Sequence, residues 1–388
     1  MKIHNKNTGL LFLVGFCLWA LGFTLKEEEE QNVFDIDYLR RVYSLEDPTK
    51  WPTPELDSLI DKNTFEDIGV LPKVVHPSYN PYSRDKANLG KQLFFDPRLS
   101  SSEQIACASC HNPELGWTDN VTRSFGHNRQ TGKRNAMTLL NVGHALDLFW
   151  DGRALSLEDQ VKFPIMDTLE MNHPLSLAVD RIAGIEGYRP WFEKAFGDGE
   201  VTLQRIQYAI ATYERTIKSR RSKFDKFISG DTSALTDQEV LGLHLYRTKA
   251  RCINCHNTPY FSDNQFHNDG QTLFGSKFED LGRYIITGDL ADVGKFRTPT
   301  LREANRTGPW MHHGHFPTLK DVVEYYNLGN PAPIQRRYLN TPRDSLLPRT
   351  SPLLQRLYLE QNEKEALIAF IKTLSTPNKR VPIPKPLF

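Results

Sequence analysis

Cysteine is scarce, with five in 388 residues. Four of the five fall inside two pentapeptides, so no thiols remain for a disulfide framework. An excess of charge of either sign is also lacking: 48 Lys and Arg against 47 Asp and Glu leave +1, which gives no footing for nucleic acid or an anionic membrane surface as partner. Stretches with the period of a β-strand are few, and the fold class this implies is mostly α. Long apolar runs are confined to one place. Lys2 and Lys6 precede an uncharged stretch from Gly9 to Leu25, the pattern of an export signal over residues 1–25, with Ala20-Leu21-Gly22 as a weak cleavage site. Its length equally suits an uncut N-terminal membrane anchor, and either version delivers the rest of the chain to the outer face. Cys17 lies within the run behind Phe16, not behind the small residue expected before a lipid-bearing cysteine.

The chemistry is concentrated in Cys107-Ala108-Ser109-Cys110-His111 and its echo Cys252-Ile253-Asn254-Cys255-His256. Cys-x-x-Cys-His is the signature of c-type haem attachment: two thiols one helical turn apart add to the porphyrin vinyl groups, and the adjacent histidine is carried under the iron. A shared zinc site would need four thiols to converge from distant parts of the chain, although each pair already has its own histidine. Two covalently bound haems, ligated by His111 and His256, are therefore expected.

One motif per half suits two domains, each long enough to bury a core. After residues 1–25 the segment 26–71 reads as a polar tether, broken by Pro48, Pro52 and Pro54, with at most one short docking helix. A first haem domain spans 72–230 and a second 231–388. Ala87, Leu89, Leu93 and Phe94 form a helical stripe before the first motif. Ser156 opens a helix carrying Gln160, and an amphipathic helix runs from about Thr202 to Ser219. The second half repeats the grammar: Thr236-x-x-Glu239 caps a helix before the Cys252 motif, Thr318-x-x-Asp321 caps another, and Ala366 to Leu374 forms a terminal helix.

The ordered series CASCHNP, SFGH, GKRNAMTLLNV, FWDGRALSLEDQ, LEMN, CINCHN and FRTPTLREA, from about Pro72 to Leu374, closely resembles the bacterial dihaem cytochrome c peroxidase and MauG superfamily. That resemblance implies two cytochrome c-like domains, a peroxide site at the first haem and an electron relay at the second. It matches Glu170 to the distal acid-base group, Gln160 to the distal amide and Trp150 to the indole between the haems. His127 falls where classical members place a removable sixth ligand on the first iron, with His144 as a weaker competitor. Asn135 and the main-chain carbonyls of Thr307 and Pro309 match an interdomain Ca²⁺ site, whose hard oxygen ligands suit that ion. His312 matches a family histidine near the relay haem.

One departure is informative. Classical members ligate the relay haem with methionine where this chain has Tyr326, as MauG does, and Met311 is the alternative donor. A thioether raises the reduction potential, whereas an anionic oxygen donor favours higher oxidation states. Implied partners are hydrogen peroxide and a small periplasmic cytochrome c or cupredoxin, with a homodimer plausible by resemblance alone. Three readings stand: a periplasmic peroxidase, a MauG-like enzyme oxidising residues of a partner protein, and a non-enzymatic dihaem carrier.

Overall fold

The computed structural model describes residues 35–329 and 336–388. The expected export segment, including Cys17, lies outside them, and among the described residues no helix is long and apolar enough to cross a membrane. The architecture is mostly helical, as expected. The named strands among these residues are β1 (Phe266–His267) and β2 (Phe296–Arg297), paired antiparallel with Phe266 opposite Arg297.

Six helices position the two motifs. They are α1 (Ile36–Tyr43), α2 (Arg84–Phe94), α3 (Leu203–Glu214), α4 (Asp237–Arg247), α5 (Leu319–Asn327) and α6 (Gln361–Thr373). Their starts obey the capping chemistry of the sequence. Thr236 and Thr318 form capping boxes with Glu239 and Asp321, and Ser83 accepts from the Lys86 N–H. α3 stops five residues short of the expected Ser219. The Ile217 N–H turns back to the Glu214 carbonyl, and the Ile217 carbonyl then accepts from the Asn141 N–H, so the backbone leaves the helix to pair with a distant loop.

Two hydrophobic cores are built to one plan. In the first, α2 crosses α3 with Gly90 against the Ala209 carbonyl; in the second, α4 crosses α6 with Gly242 against the Ala366 carbonyl. One turn beyond each glycine an aromatic ring completes the contact. Phe94 packs on Tyr213 (centroids 5.5 Å) and Trp117 (5.9 Å), and Tyr246 packs on Phe370 (5.2 Å) and Phe261 (5.8 Å). A Cβ at Gly242 would lie 2.0 Å from the Ala366 oxygen, which is main chain and cannot swing aside. Gly242→Ala should therefore lower stability by about 1–3 kcal/mol through overpacking, despite alanine's better helix propensity. An unchanged urea midpoint would contradict this.

The ends of the chain cross over. The stretch read as a polar tether buries Leu39, Tyr43, Trp51 and Ile68 in the second core, with Arg247 stacked between Tyr43 (5.3 Å) and Trp51 (5.2 Å) and paired to Asp67. Thus α1 is the expected docking helix, but the loop after it is also packed and not solvated. Phe224 and Phe227 already belong to the second core. The C-terminal tail returns to the first core, where Arg98 donates to the Leu387 carbonyl (2.9 Å) and the Gly187 N–H to the Phe388 carbonyl (2.8 Å).

Candidate haem sites and the cavity between them

Both motif histidines are fixed in the same way. The Nδ1 of His111 lies 3.2 Å from the Trp117 carbonyl, and that of His256 lies 3.2 Å from the Phe261 carbonyl. Trp117 and Phe261 both adopt left-handed backbone (φ 62° and 59°), which turns each carbonyl onto the ring. With Nδ1 engaged, Nε2 is the nitrogen left for a metal. Burial lowers both imidazole pKa values, favouring the neutral form that ligates iron. The four motif cysteines are free thiols. Burial pushes Cys110 up to about 11 and Cys252 to about 12, and Cys107 higher still. Walls that keep sulfur uncharged suit a thioether, which never ionises.

One cavity of about 610 Å³ runs from the first motif to the second, lined by all four cysteines and both histidines. Trp150, Gln160, Glu170, Asn135, Thr307, Pro309, Tyr326 and Met311 also line it, so most of the residues singled out from the sequence converge on one space. Trp150 is the bridging element: its Nε1 donates to the Asn135 carbonyl (2.9 Å), and its own carbonyl accepts from the Arg297 N–H of β2 (2.8 Å). Trp150 is thus tied to both halves, its ring to the first and its backbone to the second. His312, stacked on Phe296 (3.6 Å), packs 6.3 Å from it, and its carbonyl accepts from the Asn135 N–H (2.7 Å). Neither His312 nor His144 lines the cavity; His144 packs beside Tyr260.

Glu170 sits in the cavity wall with its carboxyl raised to about 7, mainly by burial and next by repulsion from Asp167, with Arg153 pulling the other way. A carboxyl poised there exchanges protons near neutral pH. His127 sits beside the cavity, next to Glu170 in the chain's packing. Its N–H donates to the Glu170 carbonyl (2.7 Å), its Nδ1 lies 3.3 Å from Ser101 Oγ, and it is not part of the cavity lining.

At the second motif Tyr326 is half-buried, its hydroxyl kept neutral by desolvation and by the neighbouring Asp269, Cys255 and Cys252. The Asn135 amide donates to the carbonyls of Val121 (2.9 Å) and Thr122 (3.4 Å), leaving its oxygen as the free ligand atom.

Sequence reading missed several groups. Arg134 bridges Asp280 (2.7 Å) and Asp151, and Asp151 holds Arg153 (3.0 Å), a charged chain linking the halves beside Trp150. Asp263 and His267 pair at 2.8 Å next to Cys255. Glu214, at the end of α3, is a second buried acid in the cavity wall. The DGR triplet was visible in the sequence, but nothing local distinguishes Glu214 from any helical glutamate.

Comparison with known proteins agrees with this geometry. The family model described as di-haem cytochrome c peroxidase matches residues 84–233. Methylamine utilization protein MauG of Methylorubrum extorquens is 36% identical over 313 residues, 80% of this chain and 84% of that protein. Cytochrome c551 peroxidase of Nitrosomonas europaea is 38% identical over 309 residues, 79% and 85% of the two chains. Among solved structures, a MauG-like protein associated with microbial copper homeostasis aligns with a TM-score of 0.69 and 30% identity, covering 83% of this chain and 96% of that one.

Proposed function

The chain belongs to the dihaem cytochrome c peroxidase family that includes MauG, and from that membership we propose how its residues reduce hydrogen peroxide to water. Two cytochrome c-like modules, handing over just before Phe224, each carry one haem, attached through Cys107 and Cys110 and through Cys252 and Cys255. His111 and His256 are the proximal ligands. When bound, the haems supply redox-active iron, which delivers electrons to the peroxide O–O bond.

The protein's own part is proton handling, orientation and electron routing. Glu170 takes the proton from the nearer peroxide oxygen and returns it to the departing one, for which a carboxyl titrating near neutrality is matched. Gln160 holds the peroxide by hydrogen bonds, and Arg153 tempers the charge on Glu170. Each turnover consumes one peroxide, two electrons and two protons and yields two waters. A small periplasmic cytochrome c or cupredoxin supplies the electrons at the second module, and Trp150 passes them to the first. The observation that carries this reading is the single cavity joining both motifs, with Trp150 between them and Glu170 and Gln160 in its wall. A non-enzymatic carrier needs no such acid. Asn135, Thr307 and Pro309 supply oxygen ligands for an interdomain Ca²⁺.

Tyr326 favours a second reading within the same family. Its placement beside Cys252 and Cys255 suits a tyrosine-ligated relay haem and MauG-like oxidation of a partner protein's residues, whereas His127 in its loop suits a gated peroxidase. Optical spectra after peroxide addition separate them. A change only after one-electron reduction supports the gated peroxidase; a change starting from the fully ferric protein supports the MauG-like variant. No change in either state returns the chain to the carrier reading. Trp150→Phe should preserve the first spectral change and slow re-reduction from the second haem at least tenfold, read by stopped flow; an unaltered rate would remove Trp150 from the path.

A further inference from the structure

Glu214 is 4% exposed and lines the cavity beside Cys107, on whose thiol its charge acts. Its Oε2 has no hydrogen-bond partner among the described residues. Among the described residues no cation pairs with it, although the charge of Arg215 acts to lower its pKa. The adjacent Arg215 is spent on Glu158 in a two-point pair (2.6 and 2.9 Å). Lys86, on the helix packed against α3, donates to Asn80 and to the Pro81 carbonyl, and Arg181 donates to the Ser100 carbonyl (2.6 Å). The other acids facing this cavity, Asp151, Asp167, Glu170 and Asp269, can only add negative charge, and Tyr213 offers no positive charge. A carboxyl walled in this way stays protonated. Its pKa is accordingly pushed up to about 8, chiefly by burial.

We propose that Glu214 is a redox-linked proton donor of the first haem site, releasing its proton when that site loses an electron and recovering it on re-reduction. This rests on the haem reading of the Cys107 motif. The physical reason is that an iron gaining one positive charge, in a medium of low dielectric, stabilises a nearby carboxylate far more than it would in water. In the step the Glu214 O–H bond breaks, its electron pair stays on the carboxylate and the proton passes to water. The electron goes to the oxidant, which is peroxide in turnover or a chemical mediator in a titration. Glu214 touches no reacting oxygen in this scheme, so it is a positioning group for charge and not a catalytic residue.

The test uses the haem-loaded protein in the Glu170→Gln background, which removes the other glutamate of the cavity wall. The midpoint potential of the first haem is measured between pH 6 and 9. One proton coupled to one electron gives a slope approaching 59 mV per pH unit. That slope should persist in Glu170→Gln and flatten in Glu170→Gln/Glu214→Gln, with covalent haem content unchanged. An equal slope in the double variant would overturn the proposal. If the double variant does not load haem, redox-difference infrared spectra of Glu170→Gln decide: loss of a protonated carboxyl C=O band on oxidation supports Glu214, and its absence overturns the assignment. A wild-type protein without covalent haem at Cys107 would fail the underlying site reading itself, and is recognised by a covalent haem content below two per chain.

Discussion

Glu170→Gln should lower kcat/KM for peroxide by about 10²- to 10⁴-fold, the usual contribution of a positioned acid-base group, while both haems remain covalently attached. The amide keeps the shape and some hydrogen bonding but cannot carry the proton between the two peroxide oxygens. The pH profile sharpens the test. With its carboxyl raised to about 7 by burial, Glu170 is mostly protonated below that pH and cannot accept the first proton. The wild-type kcat/KM should therefore rise with pH through a limb near 7, and that limb should vanish in the variant. The same shift has a stability signature. A carboxyl raised by burial favours the fold in its neutral form, so this contribution is intact below the ordinary carboxylate range and is lost as pH rises from there through about 7. Glu170→Gln removes that loss, and the difference in stability between pH 5 and pH 8 should narrow. A wild-type rate with an unaltered pH limb would assign the proton transfer to another group.

Tyr326→Met should raise the midpoint potential of the second haem by on the order of 100 mV or more, because axial ligand identity alone spans much of the range that proteins impose on haem. Methionine at this position would replace the proposed oxygen donor with a soft thioether of similar reach. The variant should hold a ferrous electron at the second site more readily and show stronger dependence on prior one-electron reduction for its reaction with peroxide. Tyr326 lies close enough to Cys252 and Cys255 to feel both thiols, and it lines the cavity, so a new ligand there stays within the site. An unchanged potential would make Tyr326 a packing residue and shift the ligand assignment to Met311, which lines the same cavity.

The parts of this molecule that were legible in its sequence are those governed by local rules. The Cys-x-x-Cys-His pentapeptides, the capping boxes at Thr236 and Thr318 and the apolar spacing of α2 and α6 each fix a conformation within a few residues. Family resemblance then linked Trp150, Gln160, Glu170 and Tyr326, which no local pattern joins, and all four line one cavity. What escaped was set by distant partners. The buried residues of the supposed tether, Leu39, Tyr43, Trp51 and Ile68, follow no single period because each fills a different gap in the second core. The end of α3 at Glu214 is dictated by Asn141, far away in the chain. Glu214 carries no sequence mark: what distinguishes it is that its Oε2 has no partner among the described residues, and that absence exists only in three dimensions.

The most direct test of the central claim is peroxide consumption by the purified, haem-loaded protein supplied with a reduced small c-type cytochrome, with donor oxidation and peroxide loss followed together. Catalytic turnover with two donor molecules oxidised per peroxide is the predicted result. Oxidation of the donor without any peroxide consumption would contradict it and leave a dihaem electron carrier.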